Sequence, residues 1–272
     1  MVLSAISRKQ AFLTHLSVSG AVFFVLSYLI VFHWYPDYYF FLDGGNRAIV
    51  TIFLVDVVLG PGMTLLVFKP GKKNLRFDVT MILLVQLSAL IWGINSVYTG
   101  RSATTVFYLG KFTCVSHPDV GAYHMDAIET GPSGKQNLSF LQRPDTVDEY
   151  LDFSKKAFAN GSSAIYYYSE KIVPLDQQVV KRLDKYRIDL EVLREENSLY
   201  ADIVHAAVND QYGENRYQLI PLSCRYGNAV AVYDKEQLKI VDILDVPIPL
   251  TSTAIDEPLP LSIEPDNTTG TP

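Results

Sequence analysis

The chain has 272 residues, of which 49% are hydrophobic and 19% are charged, and its formal net charge is −6. After Gly100 it carries 16 Lys and Arg residues against 25 Asp and Glu residues. A region with such an excess of acidic residues binds a phosphate backbone poorly, because that binding needs neutralising Lys and Arg, so nucleic acid is excluded as a partner.

Three apolar segments precede Gly100, and each has about twenty residues, the length that crosses ~30 Å of hydrocarbon. The first begins after Arg8 and Lys9, as a signal peptide would, but its apolar run is longer and no small-x-small cleavage site follows it. The sequence therefore predicts a retained helix there and a three-helix transmembrane domain over residues 1–100. The three helices are predicted at about residues 11–32, 48–68 and 79–98.

The second helix carries a carboxylate, Asp56, roughly 12 Å from its outer end at ~1.5 Å per residue. A charged group at that depth is costly unless it is paired. The third helix offers Gln86 and Ser88 at a similar depth, so these groups form either an internal clasp between the helices or a polar contact for another transmembrane helix. The adjacent Gly60-Pro61-Gly62 predicts a kink at which a neighbouring helix approaches closely.

The basic residues of the first 100 positions indicate the orientation. Arg8 and Lys9 precede the first helix, and the sequence KPGKKNLRFD joins the second helix to the third. Positive-inside counting places the amino terminus and this loop in the cytoplasm, with the remainder of the chain outside after three crossings. The residues singled out in the loop are Lys69, Pro70, Gly71, Lys72, Lys73, Arg76 and Asp78.

Seven aromatic residues lie between Phe32 and Phe41, at the outer end of the first helix. They are typical of an interfacial belt, and a binding surface is the alternative. No hydrolase elbow, zinc-protease motif, P-loop or dinucleotide-binding motif occurs, and His117 and His124 match no metal-ligand spacing. We therefore predict no catalytic residue, no metal and no cofactor.

Residues 101–250 are predicted to form an α+β domain with an antiparallel sheet. One or two strands are expected at 103–115 with a turn at Gly110, and three more strands at 216–226, 228–234 and 238–244. Helices are expected from Thr146 to Gly161 and, with a seam of apolar residues, over 175–196. Residues 251–272 lack periodicity and are predicted to be a disordered tail.

The only two cysteines of the chain, Cys114 and Cys224, both fall in the domain predicted to lie outside. An oxidising compartment permits a disulfide between them. Two buried free thiols are the alternative, because sequence separation does not say whether the side chains meet.

An ordered set of short motifs resembles the TfpX/TfpZ family of type IV pilin accessory proteins. The resemblance extends over about Phe12 to Phe107, with LIPL at 219–222 as a later match, and departs from the family at RSATTVFY after the third helix. The motifs are WYP (34–36), F-x-D-G-G (41–45), DVVLGP (56–61), T-L-x-V-F-x-P-G-K-K (64–73), L-R-x-D (75–78), Q-L-x-A-L (86–90) and V-Y (97–98).

The resemblance implies a protein of the inner membrane of a Gram-negative bacterium with a periplasmic domain, a chaperone-like partner of the type IV major pilin. The hypothesis is a non-enzymatic accessory factor that binds its cognate pilin and modulates its stability and assembly into pili. Membrane lipid is a further expected partner, and the oligomeric state is left open. Two alternatives remain: an enzyme that modifies pilin or a lipid-linked sugar, and a membrane-bound sensor.

Overall fold

The fold was analysed in a computed structural model. It describes residues 6–108, 110–125, 136–142, 146–149, 151–152, 155, 164–166, 169–177, 180, 183, 186–188, 190–207, 212, 216–246 and 253–255.

Three helices are long and apolar enough to cross a membrane, as the sequence predicts, at Arg8–Trp34, Gly45–Val67 and Leu75–Thr99. A capping box starts the first, because the Ser7 hydroxyl accepts a hydrogen bond from the Gln10 N–H and the Gln10 side chain returns one to Ser7. Large apolar side chains point outward along all three helices, with Phe24, Leu66 and Trp92 each more than 70% exposed. This distribution is that of helices whose outer surface is solvated by lipid.

The first and second helices pack together, and the third lies at their edge. Gly60, Pro61 and Thr64 of the second helix are buried, whereas none of the most apolar stretch of the third helix is buried. Two stretches, Ile30–Trp34 and Phe53–Leu59, are π-helical. The second π stretch ends at Gly60, whose N–H donates to the Val55 carbonyl five residues back. Pro61 follows directly and has no N–H to continue an α-helical pattern, which explains the widened turn.

The carboxy-terminal domain contains a seven-stranded sheet and a two-stranded sheet among the described residues. In the larger sheet the order is β4-β3-β1-β2-β6-β7-β8, and the smaller sheet pairs β5 with β9. The strands are β1 Ser102–Tyr108, β2 Lys111–Ser116, β3 Leu138–Leu141, β4 Ile172–Pro174, β5 Tyr186–Ile188, β6 Tyr217–Ser223, β7 Asn228–Asp234, β8 Lys239–Leu244 and β9 Thr253–Ile255.

This domain is α+β, as predicted, and its sheet is mixed. The β1–β2 hairpin turns at Gly110, whose φ of +81° suits glycine. The predicted meander at the end of the domain is confirmed, since β6, β7 and β8 pair antiparallel. Pairing is parallel between β1 and β3 and between β2 and β6.

Two sequence predictions in this domain are wrong in part. The helix expected over 175–196 is interrupted by β5, and only its last part, Leu190–Glu196, is a described continuous helix. The predicted disordered tail contributes β9, which pairs antiparallel with β5. Pairing with a distant strand therefore overrides the local helical pattern around Tyr186.

The remaining described helices are short. The α-helices are Tyr39–Leu42, His117–Ala122, Leu190–Glu196 and Ser198–Ala206, and Ala164–Tyr166 and Ser169–Lys171 are 3-10 helices. The helix predicted from Thr146 begins as expected, because the Thr146 hydroxyl accepts a hydrogen bond from the Glu149 N–H at 3.2 Å. Its predicted end at Gly161 lies outside the described residues.

The main hydrophobic core joins the two parts of the molecule. Side chains from the loop between the first two helices pack in the same buried cluster as Phe107, Phe140 and Leu222 of the sheet. The loop residues in this cluster are Tyr35, Tyr38, Tyr39 and Leu42. The carboxy-terminal domain therefore packs directly against the membrane helices and the loop between the first two of them.

Candidate functional site

A group of polar side chains lies within the three apolar helices. This intramembrane polar cluster consists of His15 from the first helix, Asp56 and Thr64 from the second and Gln86 from the third. His15 Nδ1 and Thr64 Oγ1 are 2.6 Å apart and share a hydrogen bond. Each helix therefore contributes a polar group to one interior region, where polar contacts between helices are favourable.

Asp56 is buried at 6% exposure, inside the π-helical turn before Pro61. His15 is its electrostatic partner, and no described residue donates a hydrogen bond to its carboxylate. A buried carboxylate whose only electrostatic partner is one imidazole retains acceptor capacity for further donors.

The Gln86 amide lies beside His15 and directly on Gly60. A side-chain carbon at Gly60 would overlap this amide, so the absence of a side chain there leaves room for Gln86 in its present position. Both the nitrogen and the oxygen of the amide are buried; the amide approaches the His15 ring as a weak hydrogen-bond partner and has no other partner within the described part of the chain. The Asp56 carboxylate and the Gln86 amide are therefore two incompletely hydrogen-bonded groups in an apolar surrounding.

A second set of polar contacts fixes the loop between the first two helices to the carboxy-terminal domain. This junction contains Tyr38 and Tyr39, whose hydroxyls are 3.1 and 2.7 Å from Thr105 Oγ1 on β1. The Asp43 carboxylate accepts hydrogen bonds from Ser102 N at 3.0 Å and from Ser102 Oγ at 2.8 Å. Burial raises the pKa of Asp43, and these two hydrogen bonds with the nearby Arg225 oppose that rise.

Further contacts close the junction around Gly44. The ring of Tyr226 occupies the space that a side chain at Gly44 would need, and Gly44 has a φ of +100°. Tyr226 N donates to the Leu42 carbonyl at 2.9 Å, and the Arg47 guanidinium lies 4.6 Å from the centre of the Tyr226 ring. The Tyr35 hydroxyl donates to the Val97 carbonyl at 2.8 Å and so ties the loop to the third helix. The domain is held to the helices by side chains of both.

Comparison with known proteins identifies the family. The fimbrial assembly protein of serogroups C1 and C2 of Dichelobacter nodosus is 33% identical to this chain over 122 residues, which are 42% of this chain and 93% of that relative. The chain belongs to the fimbrial assembly protein family.

Two longer members of the family match as well. The fimbrial assembly proteins of serogroups I and E1 of Dichelobacter nodosus are 34% identical over 122 and 123 residues, 42% of this chain in each case. The matched region is 48% of each relative, so the chain spans about half the length of these two proteins. No family model and no solved structure matches the chain.

The structure brings together only part of the site predicted for this fimbrial assembly family member. Asp56, Gly60, Pro61 and Gln86 lie inside the helix bundle, but Ser88 is exposed on the third helix. Residues two positions apart on a helix differ by about 200° around its axis, so Gln86 and Ser88 face nearly opposite ways. No neighbouring atom lies within 4 Å of a side chain built at Gly62, which is half-buried.

Sequence reasoning missed His15. It stands four residues before the buried Ser19, on the same face of the first helix, and this spacing was the available signal. Ser27, a further polar residue of the first helix, has a buried hydroxyl with no hydrogen-bond partner among the described residues.

The basic loop extends away from the helices. Arg8 Nε donates to the Phe68 carbonyl at 2.9 Å and joins the start of the first helix to the end of the second. Lys72 forms an ion pair with Asp78. Gly71 has a φ of +81°, which turns the chain towards the third helix. Lys69, Pro70, Lys73 and Arg76 are also exposed.

Cys114 and Cys224 form a disulfide, with their Cα atoms 4.7 Å apart. It links Cys114, which follows the last β2 residue paired with β6, to Cys224, the residue after β6. A cavity of about 280 Å³ lies over it, lined by Asp43, Asp119 and Arg225 among others. Within the described residues no three His, Cys, Asp or Glu side chains form a metal-binding group.

The predicted aromatic belt has two roles in the structure. Tyr35, Tyr38 and Tyr39 are buried in the junction, whereas Phe32 and Phe41 are each 62% exposed. The buried tyrosines join the domain to the helices, and the two phenylalanines remain at the surface.

Proposed function

We propose that this protein is a non-enzymatic accessory factor of the TfpX/TfpZ type, which binds its cognate type IV major pilin and modulates the pilin's stability and assembly. Membership of the fimbrial assembly protein family supports a role in building pili. The observation that carries the proposal is the intramembrane polar cluster, with Asp56 and Gln86 incompletely hydrogen-bonded inside apolar helices.

A pilus subunit before assembly is a membrane-spanning helix with an external head. Unsatisfied polar groups in lipid favour association with a helix that can hydrogen-bond to them, at about 0.6 to 2 kcal/mol per contact. The Gly60-Pro61-Gly62 sequence adds small residues along the second helix, which allow close packing. The bundle therefore suits a partner helix, and the attached domain suits a partner head.

The orientation that fits this role has the amino terminus and the KPGKKNLR loop in the cytoplasm and the domain in the periplasm of a Gram-negative cell, with the helices in the inner membrane. Six basic residues on one side of the three helices support it, and their charges favour contact with anionic membrane lipid on that side. Alkaline phosphatase fused after the last residue should be active in cells, while a green fluorescent protein fused there should be dark. The reverse pattern contradicts the proposed orientation.

Photo-crosslinking in piliated cells tests the pilin partnership. A photoreactive amino acid replaces Val58 or Met63, which flank Pro61 and are 48% and 47% exposed. The proposal predicts an adduct with the major pilin at these two positions and none at Phe24, an exposed control on the first helix. Absence of pilin from every adduct would refute it.

The non-enzymatic part of the proposal has its own readout. The intact mass of the major pilin should be the same in cells with and without this protein. A defined mass difference that depends on this protein would show that it, or an activity it controls, modifies pilin.

A further inference from the structure

The far edge of the seven-stranded sheet borders an open groove. β8 is the last strand of that sheet in the described part of the chain, so one side of its backbone has no neighbouring strand. The groove has a volume of about 390 Å³ and runs beside β8 and the loop after the first helix. It is lined by Asp37, Tyr38, Phe41, Gln136 and the residues from Lys239 to Ile243.

A side-chain amide takes the place of a neighbouring strand at this edge. Gln136 Nε2 donates to the Ile240 carbonyl at 2.8 Å, and Gln136 Oε1 accepts from Ile240 N at 2.9 Å. These two hydrogen bonds to one residue are the pair that an added antiparallel strand would make. Further along, the Asp242 carboxylate accepts from Ile243 N at 2.8 Å. The edge is therefore occupied by side chains rather than by backbone.

Blocking of an edge strand is a common protection against aggregation, and it needs no groove. Here the groove also presents apolar surface, since Phe41 and Val241 are 62% and 38% exposed. An apolar groove beside a strand edge that no described strand covers is a feature of sheets that bind an extended segment.

The charges of the groove indicate what such a segment carries. Asp37 accepts a hydrogen bond from the Gln136 amide at 3.2 Å, and Asp242 accepts one from the Tyr212 hydroxyl at 2.5 Å. Both donors are neutral, and neither carboxylate has an ion pair with a described residue. Lys239 also lines the groove, so the lining has two carboxylates and one ammonium group. Two carboxylates without a cationic partner complement a Lys or Arg side chain.

We propose that this β8 groove binds an extended segment of the pilin head that carries a Lys or Arg residue, and that the segment adds to β8 in place of the Gln136 amide. This inference rests on the proposed function. The groove adjoins the loop that follows the first helix, so a head emerging from the membrane beside the bundle meets it directly. Specific pairing to β8 gives the domain a means of recognising a pilin before assembly.

The test uses the full-length protein in piliated cells, with a photoreactive amino acid at Val241. The control position is Leu199, which is 63% exposed and lies on a helix away from the groove. The major pilin is expected in the Val241 adduct and not in the Leu199 adduct. Gln136→Met, which keeps the size but loses the amide, should raise the Val241 adduct by about fivefold, the equivalent of one net hydrogen bond.

Charge variants give the matched comparison. Asp37→Lys with Asp242→Lys should lower the Val241 adduct at least fivefold, while Glu170→Lys, an exposed change elsewhere, should leave it unchanged. The groove proposal is overturned if the Asp37→Lys/Asp242→Lys variant gives as much pilin adduct at Val241 as the Glu170→Lys control. It is also overturned if Gln136→Met lowers the Val241 adduct while the protein level is unchanged. A pilin adduct at Val58 without one at Val241 also overturns the groove and leaves the proposed function standing, whereas no adduct at either position removes both.

Discussion

A side chain added at Gly60 would displace the Gln86 amide from its contact with the second helix. The missing side chain of Gly60 makes room for the Gln86 amide, while a side chain at Gly62 meets no atom within 4 Å. Gly60→Val should therefore lower the stability of the bundle by about 1–3 kcal/mol through overpacking. Thermal unfolding of the detergent-solubilised protein measures this, with Gly62→Val as the control. Equal melting temperatures for the two variants would contradict the described packing.

Asp43 gives the junction a dependence on pH whose sign follows from its burial. Because the folded pKa of Asp43 is raised above 3.8, the folded protein binds this proton more tightly than the unfolded chain does. The contribution of Asp43 to stability is therefore greatest at acid pH and decreases as the pH rises from about 4 through the raised pKa. Asn at this position can still accept both hydrogen bonds from Ser102.

Asp43→Asn should accordingly gain stability relative to the unchanged protein as the pH rises from 4 to 7. The measurement is the melting temperature of both proteins across this range, and Asp245→Asn, at an exposed position outside the junction, is the control. Parallel curves for Asp43→Asn and the unchanged protein would show that Asp43 does not titrate differently on folding.

For single residues, the sequence predicts which kind of side chain is needed better than it predicts the direction in which that side chain points from its helix. An ionisable residue in an apolar segment marks Asp56 without any structure, because its cost in lipid demands a partner. Which residues supply the partner depends on the rotation of each helix about its axis, and so His15 was missed, while the exposed Ser88 stays a candidate for contact with another helix. Periodicity along one helix does not contain that information.

Among the elements, β2 and β6 have the shortest strand pairing in the large sheet, which we call the β2–β6 seam. Only Phe112 with Leu222 and Thr113 with Ser223 are paired there among the described residues. The disulfide of Cys114 and Cys224 follows immediately and closes a sequence separation of 110 residues. A crosslink of that span stabilises a fold by roughly 4–5 kcal/mol in the chain-entropy treatment.

Replacing both cysteines with Ala should therefore lower the free energy of unfolding by about 2–5 kcal/mol. Limited proteolysis should then cut the domain near the β2–β6 seam more readily, with Thr146→Ala as a control for a change remote from the seam. An unchanged digestion pattern would show that the strand pairing alone holds the two parts of the sheet together.

Elements with a strong local sequence pattern are predicted, whereas strands that form through pairing with distant parts of the chain are not. The three membrane helices, the β1–β2 hairpin and the β6–β8 meander each have apolar residues and turn signals close together in sequence. β5 lies in an equally clear helical pattern but pairs with β9, more than sixty residues later. The parallel β1–β3 and β2–β6 pairings likewise depend on contacts that no short window contains.

For the whole molecule, the sequence predicts a membrane part and a following domain but not the way they are joined. The tyrosines between the first two helices indicate an interfacial belt from sequence alone, yet Tyr38 and Tyr39 bond to Thr105 on the sheet. These hydrogen bonds join the helices to the domain. The two surfaces proposed to bind pilin, the intramembrane polar cluster and the β8 groove, therefore belong to connected parts of the molecule.

The central claim is that this protein holds a pilin. A tagged copy of the protein, recovered from gently solubilised membranes of cells that express both the cognate and a foreign major pilin, tests it most directly. The account predicts that the cognate pilin is recovered in excess and that Asp56→Leu with Gln86→Leu reduces its recovery while the protein itself stays in the membrane. Recovery of neither pilin, or equal recovery of both before and after these substitutions, would contradict it.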